Sequence, residues 1–175
     1  MTSYQDLFAI GQTFDDFVRH GLPDEIDAVR AVQRKLASPD ALSAGTRHRL
    51  AALDDAFFLL AAGEMWCPDC QINLAVMDSL QRFAPSVTLS IITKARAEDA
   101  LKTHLALERV AIPFVLVLDR DFQVIGRFVE RPDAVVQGGD ALKPAYRAGL
   151  YVESTVEDLL AIFERPLSPA AVGRA

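Results

Sequence analysis

One short stretch limits what this chain can fold into more than any other. Ala56 to Ala62 reads Ala-Phe-Phe-Leu-Leu-Ala-Ala, with no polar residue. A short unbroken apolar run of this kind is the pattern of a strand covered on both faces. Gly63 and Glu64 follow, and then Trp66-Cys67-Pro68-Asp69-Cys70. From Gln71 to Phe83 the apolar residues Ile72, Val76, Leu80 and Phe83 fall at helical spacing, and Pro85 ends the segment. The chain therefore has to place two cysteines where a buried strand hands over to a helix.

The flanking segments extend this unit. Val87 to Thr93 alternates and is β-branched, which predicts a second strand. Ala97 to Arg109 reads as a helix. Phe114 to Leu118 follows Pro113 as a third strand, Asp119-Arg120-Asp121 is a turn, and Gln123 to Val129 is a fourth strand. The last two strands are close enough for an antiparallel hairpin. Arg131 to Tyr151 reads as an irregular connection. Ser154-Thr155-Val156-Glu157 has the form of a capping box, Val156, Leu159, Leu160 and Phe163 give the helix behind it an apolar face, and Pro166 stops it. Upstream, Ile26, Val29, Val32 and Leu36 form one stripe of a helix that starts at Pro23, and a shorter helix fits Ala44 to Leu53.

This order predicts an α/β fold in one domain. A mixed four-stranded sheet carries two or three helices, with right-handed crossovers between the first strands. Residues 1–54 form a helical extension packed on the same domain, residues 55–165 the body, and residues 166–175 a frayed tail. A chain of 175 residues can bury a core without disulfide or metal staples.

The cysteine pair carries the chemistry. Cys67 falls at the start of a helix, where unsatisfied N–H groups and the positive end of the dipole stabilise an anion. A free thiol titrates at about 8.5, and such a site lowers that value toward neutrality. Pro68 fits the first helical position, where its missing N–H costs nothing. Cys70 lies roughly one turn on, beside Cys67. The spacing suits a two-step exchange in which Cys67 attacks a disulfide and a more buried Cys70 resolves the mixed disulfide. Asp69, and Glu64 if it turns toward the sulfur, oppose the dipole by like-charge repulsion. The Cys67 thiolate is then less stabilised than with neutral neighbours, and the dithiol is relatively reducing.

Other chemistries fit less well. A Cys-x-x-Cys pair is half a zinc site, but no second pair exists, and His20, His48 and His104 stand apart. The expectation is no metal and no cofactor beyond a redox-active Cys67–Cys70 disulfide. The Asp119–Asp121 turn lacks the further oxygens of a calcium loop. Asp15-Asp16 and Asp54-Asp55 are sequence neighbours that do not face each other on a helix. No glycine-rich phosphate loop or nucleophile elbow is present. A net charge of −6 without a basic cluster argues against nucleic acid and anionic membranes. The N-terminus has no secretory signal, and no apolar stretch approaches the ~20 residues of a span. A lone close cysteine pair then points to a reducing, cytoplasmic setting.

At this point the sequence resembles the thioredoxin superfamily. Three features carry the resemblance: Trp66-Cys67-x-x-Cys70 between strand and helix, Ile112-Pro113 just before a strand, and a closing hairpin with a last helix. The chain is most similar to a bacterial thioredoxin-like branch. That branch has a Trp-Cys-x-Asp-Cys motif, a helical N-terminal extension and a Gly-Arg-x-x-x-Arg-Pro ending to the hairpin, here Gly126 to Pro132.

The resemblance implies a cis Ile112–Pro113 peptide facing the cysteines. The backbone before proline would pair with an extended substrate segment. Trp66 would shield the sulfur and contact substrate. Trp66, Pro68, Asp69, Ile112 and Pro113 would together shape the substrate groove. The implied partners are disulfide-bearing proteins or small thiol compounds, and an unidentified electron donor. Two departures stand out. Pro68-Asp69 replaces the family's frequent Gly-Pro, and Ala61 stands where many thioredoxins bury an acid that helps deprotonate the second thiol. A non-catalytic adaptor on the same fold and a thiol-based peroxide sensor or peroxidase are the alternative readings.

Overall fold

The computed structural model describes residues 2–165, so the tail 166–175 and the Pro166 stop lie outside the described residues. The apolar run becomes β1 (Phe57–Gly63), buried at six of its seven positions. It lies inside a four-stranded sheet of order β2-β1-β3-β4, with β2 at Val87–Thr93, β3 at Phe114–Leu118 and β4 at Val124–Val129. Position in the sheet explains composition. β1 and β3 are interior strands covered on both faces and are apolar throughout, whereas β4 is an edge strand with Val124 exposed.

β1 and β2 pair in parallel, from Phe57 against Val87 to Gly63 against Thr93. β3 pairs antiparallel to β1, with Phe114 against Ala62, and β4 continues the hairpin. The strand that follows Pro113 therefore starts at the end of the sheet where β1 finishes. This register sets Pro113 and the cysteines at one end of the molecule.

The crossover from β1 to β2 is α5 (Pro68–Ser79) with a closing 3-10 turn at Leu80–Arg82. It starts as the sequence predicts, with Cys67 as the N-cap and Pro68 opening the first turn. α6 (Lys94–Leu105) likewise starts directly at the end of β2 and stops at a left-handed Ala106. The segment expected to be irregular holds two short helices, α7 (Asp133–Gly138) and α8 (Lys143–Arg147). α9 (Val152–Phe163) starts ahead of the expected capping box. Tyr151 is the N-cap, Ser154 lies inside the helix, and Thr155 turns inward to donate to the Asn73 carbonyl oxygen.

The N-terminal segment folds as α1 (Tyr4–Ala9), α2 (Phe14–Arg19), α3 (Pro23–Leu36) and α4 (Ala44–Ala51). Ser3 and Thr13 cap the first two, their hydroxyls accepting from the N–H groups of Asp6 and Asp16. Between these helices Gln12 exchanges backbone bonds with Ile91 at 2.7 and 3.0 Å, covering part of the outer edge of β2. Leu7, Phe14, Phe17, Val29 and Leu50 join β1, β3, α5 and α9 in a single apolar cluster. No helix among the described residues is long and apolar enough to cross a membrane.

Candidate active site

The end of β1 is shaped to receive a sulfur. A Cβ on Gly63 would stand 2.9 Å from Leu74 Cδ1 and 3.3 Å from Cys70 Sγ, so a glycine is what lets Cys70 tuck under the strand. Cys70 is fully buried, and Cys67 is 6% exposed. Both are free thiols. Trp66 and Pro68 on either side of Cys67 face solvent, Trp66 at 63% exposure.

The two sulfurs differ in acidity for physical reasons. The Cys70 thiol hydrogen-bonds to Cys67 and favours its thiolate, burial opposes it, and the N–H groups of Cys70 and Asp69 at the helix mouth add to the lowering. The result is a Cys67 thiol pulled down to about 7. Burial pushes Cys70 strongly up, and its bond to Cys67 and the nearby negative charge push it further. Ala61 is a buried strand residue and offers Cys70 neither acid nor base.

The Pro113 loop closes over the pair. The Ile112–Pro113 peptide is cis. The Cys67 thiol donates to the Ile112 carbonyl at 3.6 Å. The loop is held in turn by Glu130, a left-handed residue at the end of the hairpin, whose N–H donates to the Pro113 carbonyl at 2.8 Å.

Asp69 does not face the groove. It is 7% exposed and turns inward, with Arg131 Nε at 3.2 Å and an Arg147 terminal nitrogen at 3.4 Å from its oxygens. Its repulsion of the Cys67 thiolate is the weakest of the influences on that sulfur. The expected repulsion of the Cys67 thiolate by Asp69 is thus present in direction but small. Asp69 is neutralised by cations 62 and 78 positions away in sequence. Glu64 accepts from the Lys94 N–H at 2.9 Å and so caps α6. The Asp69–Arg131 pair also joins two sequence motifs: the residue between the cysteines and the arginine that ends the hairpin.

Sequence reasoning missed the residue that ties these pieces together. Asn73, fully buried in α5, sits with its amide nitrogen 3.0 Å from the carbonyls of Asp69 and Glu130 and 2.8 Å from the Tyr146 hydroxyl, while its carbonyl accepts from Thr155 at 2.7 Å. One side chain thereby links α5, the hairpin end, α8 and α9. Burial, and the charge of Asp69, push the Tyr146 phenol far above its ordinary value, so it stays a neutral hydroxyl. The signal was present: an amide inside Ile72-Asn73-Leu74-Ala75-Val76, in a helix apolar on every side, must find partners. Among the described residues no three His, Cys, Asp or Glu side chains gather as a metal site.

Comparison with known proteins agrees with this fold. A family model described as thioredoxin matches residues 11–143. A crystal structure of a protein of unknown function from Pseudomonas aeruginosa is 53% identical, with a TM-score of 0.90, covering 94% of this chain and 98% of that one. The crystal structure of an HIV epitope-scaffold is 51% identical, with a TM-score of 0.90, covering 94% of this chain and 99% of that one. No match was found among curated proteins.

Proposed function

The chain belongs to the thioredoxin family, and from that premise we propose that it is a thiol–disulfide oxidoreductase with Cys67 as nucleophile and Cys70 as resolving thiol. The observation that carries this reading is the split in acidity of two adjoining sulfurs, one pulled to about 7 and one held protonated by burial. The Cys67 thiolate attacks one sulfur of a substrate disulfide. A Cys67–substrate disulfide forms, and the other substrate sulfur leaves as a thiolate. Cys70 then gives up its proton and attacks Cys67 Sγ. The products are the Cys67–Cys70 disulfide and the second substrate thiol, so two electrons have moved to the substrate. A separate dithiol donor must return the pair to its reduced state.

The Ile112 carbonyl has a part in this scheme. It accepts from Cys67 only while that sulfur carries its proton. A thiolate cannot donate, so the carbonyl becomes available to the main-chain N–H of an extended substrate, with Trp66 and Pro68 offering apolar contact at the entrance. We place the chain in the bacterial branch of the family on its Trp66–Cys70 and Gly126–Pro132 motifs, and in a reducing, cytoplasmic setting on its single close cysteine pair.

Insulin reduction with dithiothreitol as donor tests the proposal. The wild-type chain should accelerate precipitation well above dithiothreitol alone, and Cys67→Ser should abolish the gain. Cys70→Ser should accumulate mixed disulfides on Cys67. A wild-type rate equal to that of the reductant alone would sink the reading.

A further inference from the structure

The N-terminal helices come up against the loop that leads into Cys67. A Cβ on Gly21, in the turn between α2 and α3, would stand 2.5 Å from Met65 Cε, so that turn rests directly on the residue before Trp66. From the other side the Gln71 amide donates to the Met65 carbonyl at 2.7 Å, which ties the same loop to α5. Between the turn, the loop and the end of β2 lies a cavity of about 670 Å3. Trp66 lines it and also flanks the nucleophile, so the cavity extends the entrance already described. Phe17, Met65 and Ile91 give it a buried apolar floor, and Ile10, Leu22 and Trp66 form its rim at 49, 67 and 63% exposure. Among the described residues six large apolar side chains are exposed, and three of them gather here. Such residues scattered singly need no explanation, but a cluster around one concavity marks a place where something binds.

Charge does not choose the occupant. Glu25, Glu64 and Arg96 all line the cavity, so both signs are present. Both acids are already engaged at helix starts, Glu25 with the Leu22 N–H at 2.8 Å and Glu64 with the Lys94 N–H at 2.9 Å. What remains to discriminate is apolar surface and size. A cavity of ~300–1,000 Å3 takes a drug-sized group, far more than a small hydrophilic disulfide would fill. A polypeptide is different. With its own cysteine at Cys67, an extended segment sends successive side chains to opposite faces. Those that face the protein pass Trp66 and meet the cavity.

We propose that the N-terminal helices and Trp66 form a specificity pocket of the dithiol site, which takes a large apolar side chain lying close to the cysteine of a polypeptide disulfide. The inference rests on the oxidoreductase reading above and names its substrate class. Ile10 and Leu22, both supplied by the helical extension, are the specificity-determining residues.

The test compares two acetylated, amidated peptides, Phe-Leu-Gly-Cys-Gly-Leu-Phe and Ser-Ser-Gly-Cys-Gly-Ser-Ser, each disulfide-linked to mercaptoethanol. The full-length protein would reduce them with dithiothreitol as donor, beside hydroxyethyl disulfide as a substrate without side chains. The kcat/KM of the apolar peptide should exceed that of the serine peptide roughly ten- to a hundred-fold, the worth of burying one Leu or Phe side chain. The gain should lie mainly in KM. Leu22→Ser and Ile10→Ser should each cut that ratio roughly three- to ten-fold. Both side chains are exposed, so the variants keep the fold, which circular dichroism would verify. Equal kcat/KM for the two peptides, or a ratio that neither variant lowers, would overturn the pocket, while exchange with hydroxyethyl disulfide would leave the oxidoreductase reading standing. No exchange above dithiothreitol alone with any of the three would overturn both.

Discussion

The two flanks of Cys67 are built on opposite principles. Toward Asp69 the surface is sealed and polar inside: the Asp69 carboxylate is ion-paired with two arginines, and the Asn73 amide meets the Tyr146 and Thr155 hydroxyls. Toward Trp66 it is open and apolar outside, with Trp66 mostly in water. A buried polar group is costly unless its partners are in place, so the first flank is rigid by necessity. An exposed apolar residue holds nothing in place, so the second is free to meet other molecules. One flank fixes the sulfur, and the other leaves it something to work on.

The sharpest way to break this contrast is to remove Asn73. Asn73→Ala leaves the Thr155 and Tyr146 hydroxyls and the Glu130 carbonyl without their partner, and each unmet buried group costs about 1–3 kcal/mol. A loss of about 3 kcal/mol or more in urea unfolding is expected. It should come with slower Cys67 reactivity, because Glu130 also holds the Pro113 loop. An Asn73→Ala variant as stable as the parent would mean that the polar flank is not what rigidifies the site.

The pH dependence of the reduced protein comes next in size. Cys67 titrates at about 7 in the folded chain, below its free value near 9.0. A group whose folded pKa is depressed adds stability above the unfolded pKa and loses it as pH falls through the folded one. Stability should therefore rise between pH 7 and 9, by on the order of 1–3 kcal/mol. Cys67→Ser should flatten that rise. The iodoacetamide rate at Cys67 should fall about ten-fold per unit below pH 7, and Cys70→Ala should move its midpoint upward, because the leading hydrogen bond is gone. A midpoint that stays put in Cys70→Ala would shift the weight to the helix mouth.

How much of this was readable in advance depends on sequence distance. β1, β2 and β3, α3 and the cysteine pair at a strand-to-helix turn all follow from local patterns of apolar residues and prolines. Ser154-Thr155-Val156-Glu157 satisfies a capping pattern locally, but α9 starts at Val152 and carries Ser154 inside the helix. Asp69 is legible in direction but not in size. Its repulsion of Cys67 is a local fact, and its compensation by Arg131 and Arg147 is a tertiary one. The short helices after Arg131 were hidden by Gly138, Gly139 and Pro144, which read as loop.

The arginine pair offers a finer test of that lesson. Asp69→Asn removes one negative charge and leaves two cations, so the Cys67 midpoint should fall. Arg147→Gln leaves Asp69 half-compensated, so it should rise. Both shifts should stay below about one unit, because each arginine is about a third exposed and water screens it. Shifts of the same sign in the two variants would show that the pair acts through packing and not through charge.

The smallest expected effect belongs to the open flank. Trp66→Ala removes a large side chain that is mostly in water, so its stability cost should stay within about 0.5 kcal/mol, the range of ordinary surface substitutions. The same change should leave the alkylation midpoint of Cys67 nearly unmoved, since neither a hydrogen bond nor a charge on that sulfur comes from the indole. What it should alter is turnover with large disulfide substrates, through KM, while small disulfides are handled as before. A Trp66→Ala protein that loses as much stability as Asn73→Ala would place the tryptophan inside the core and erase the distinction between the two flanks.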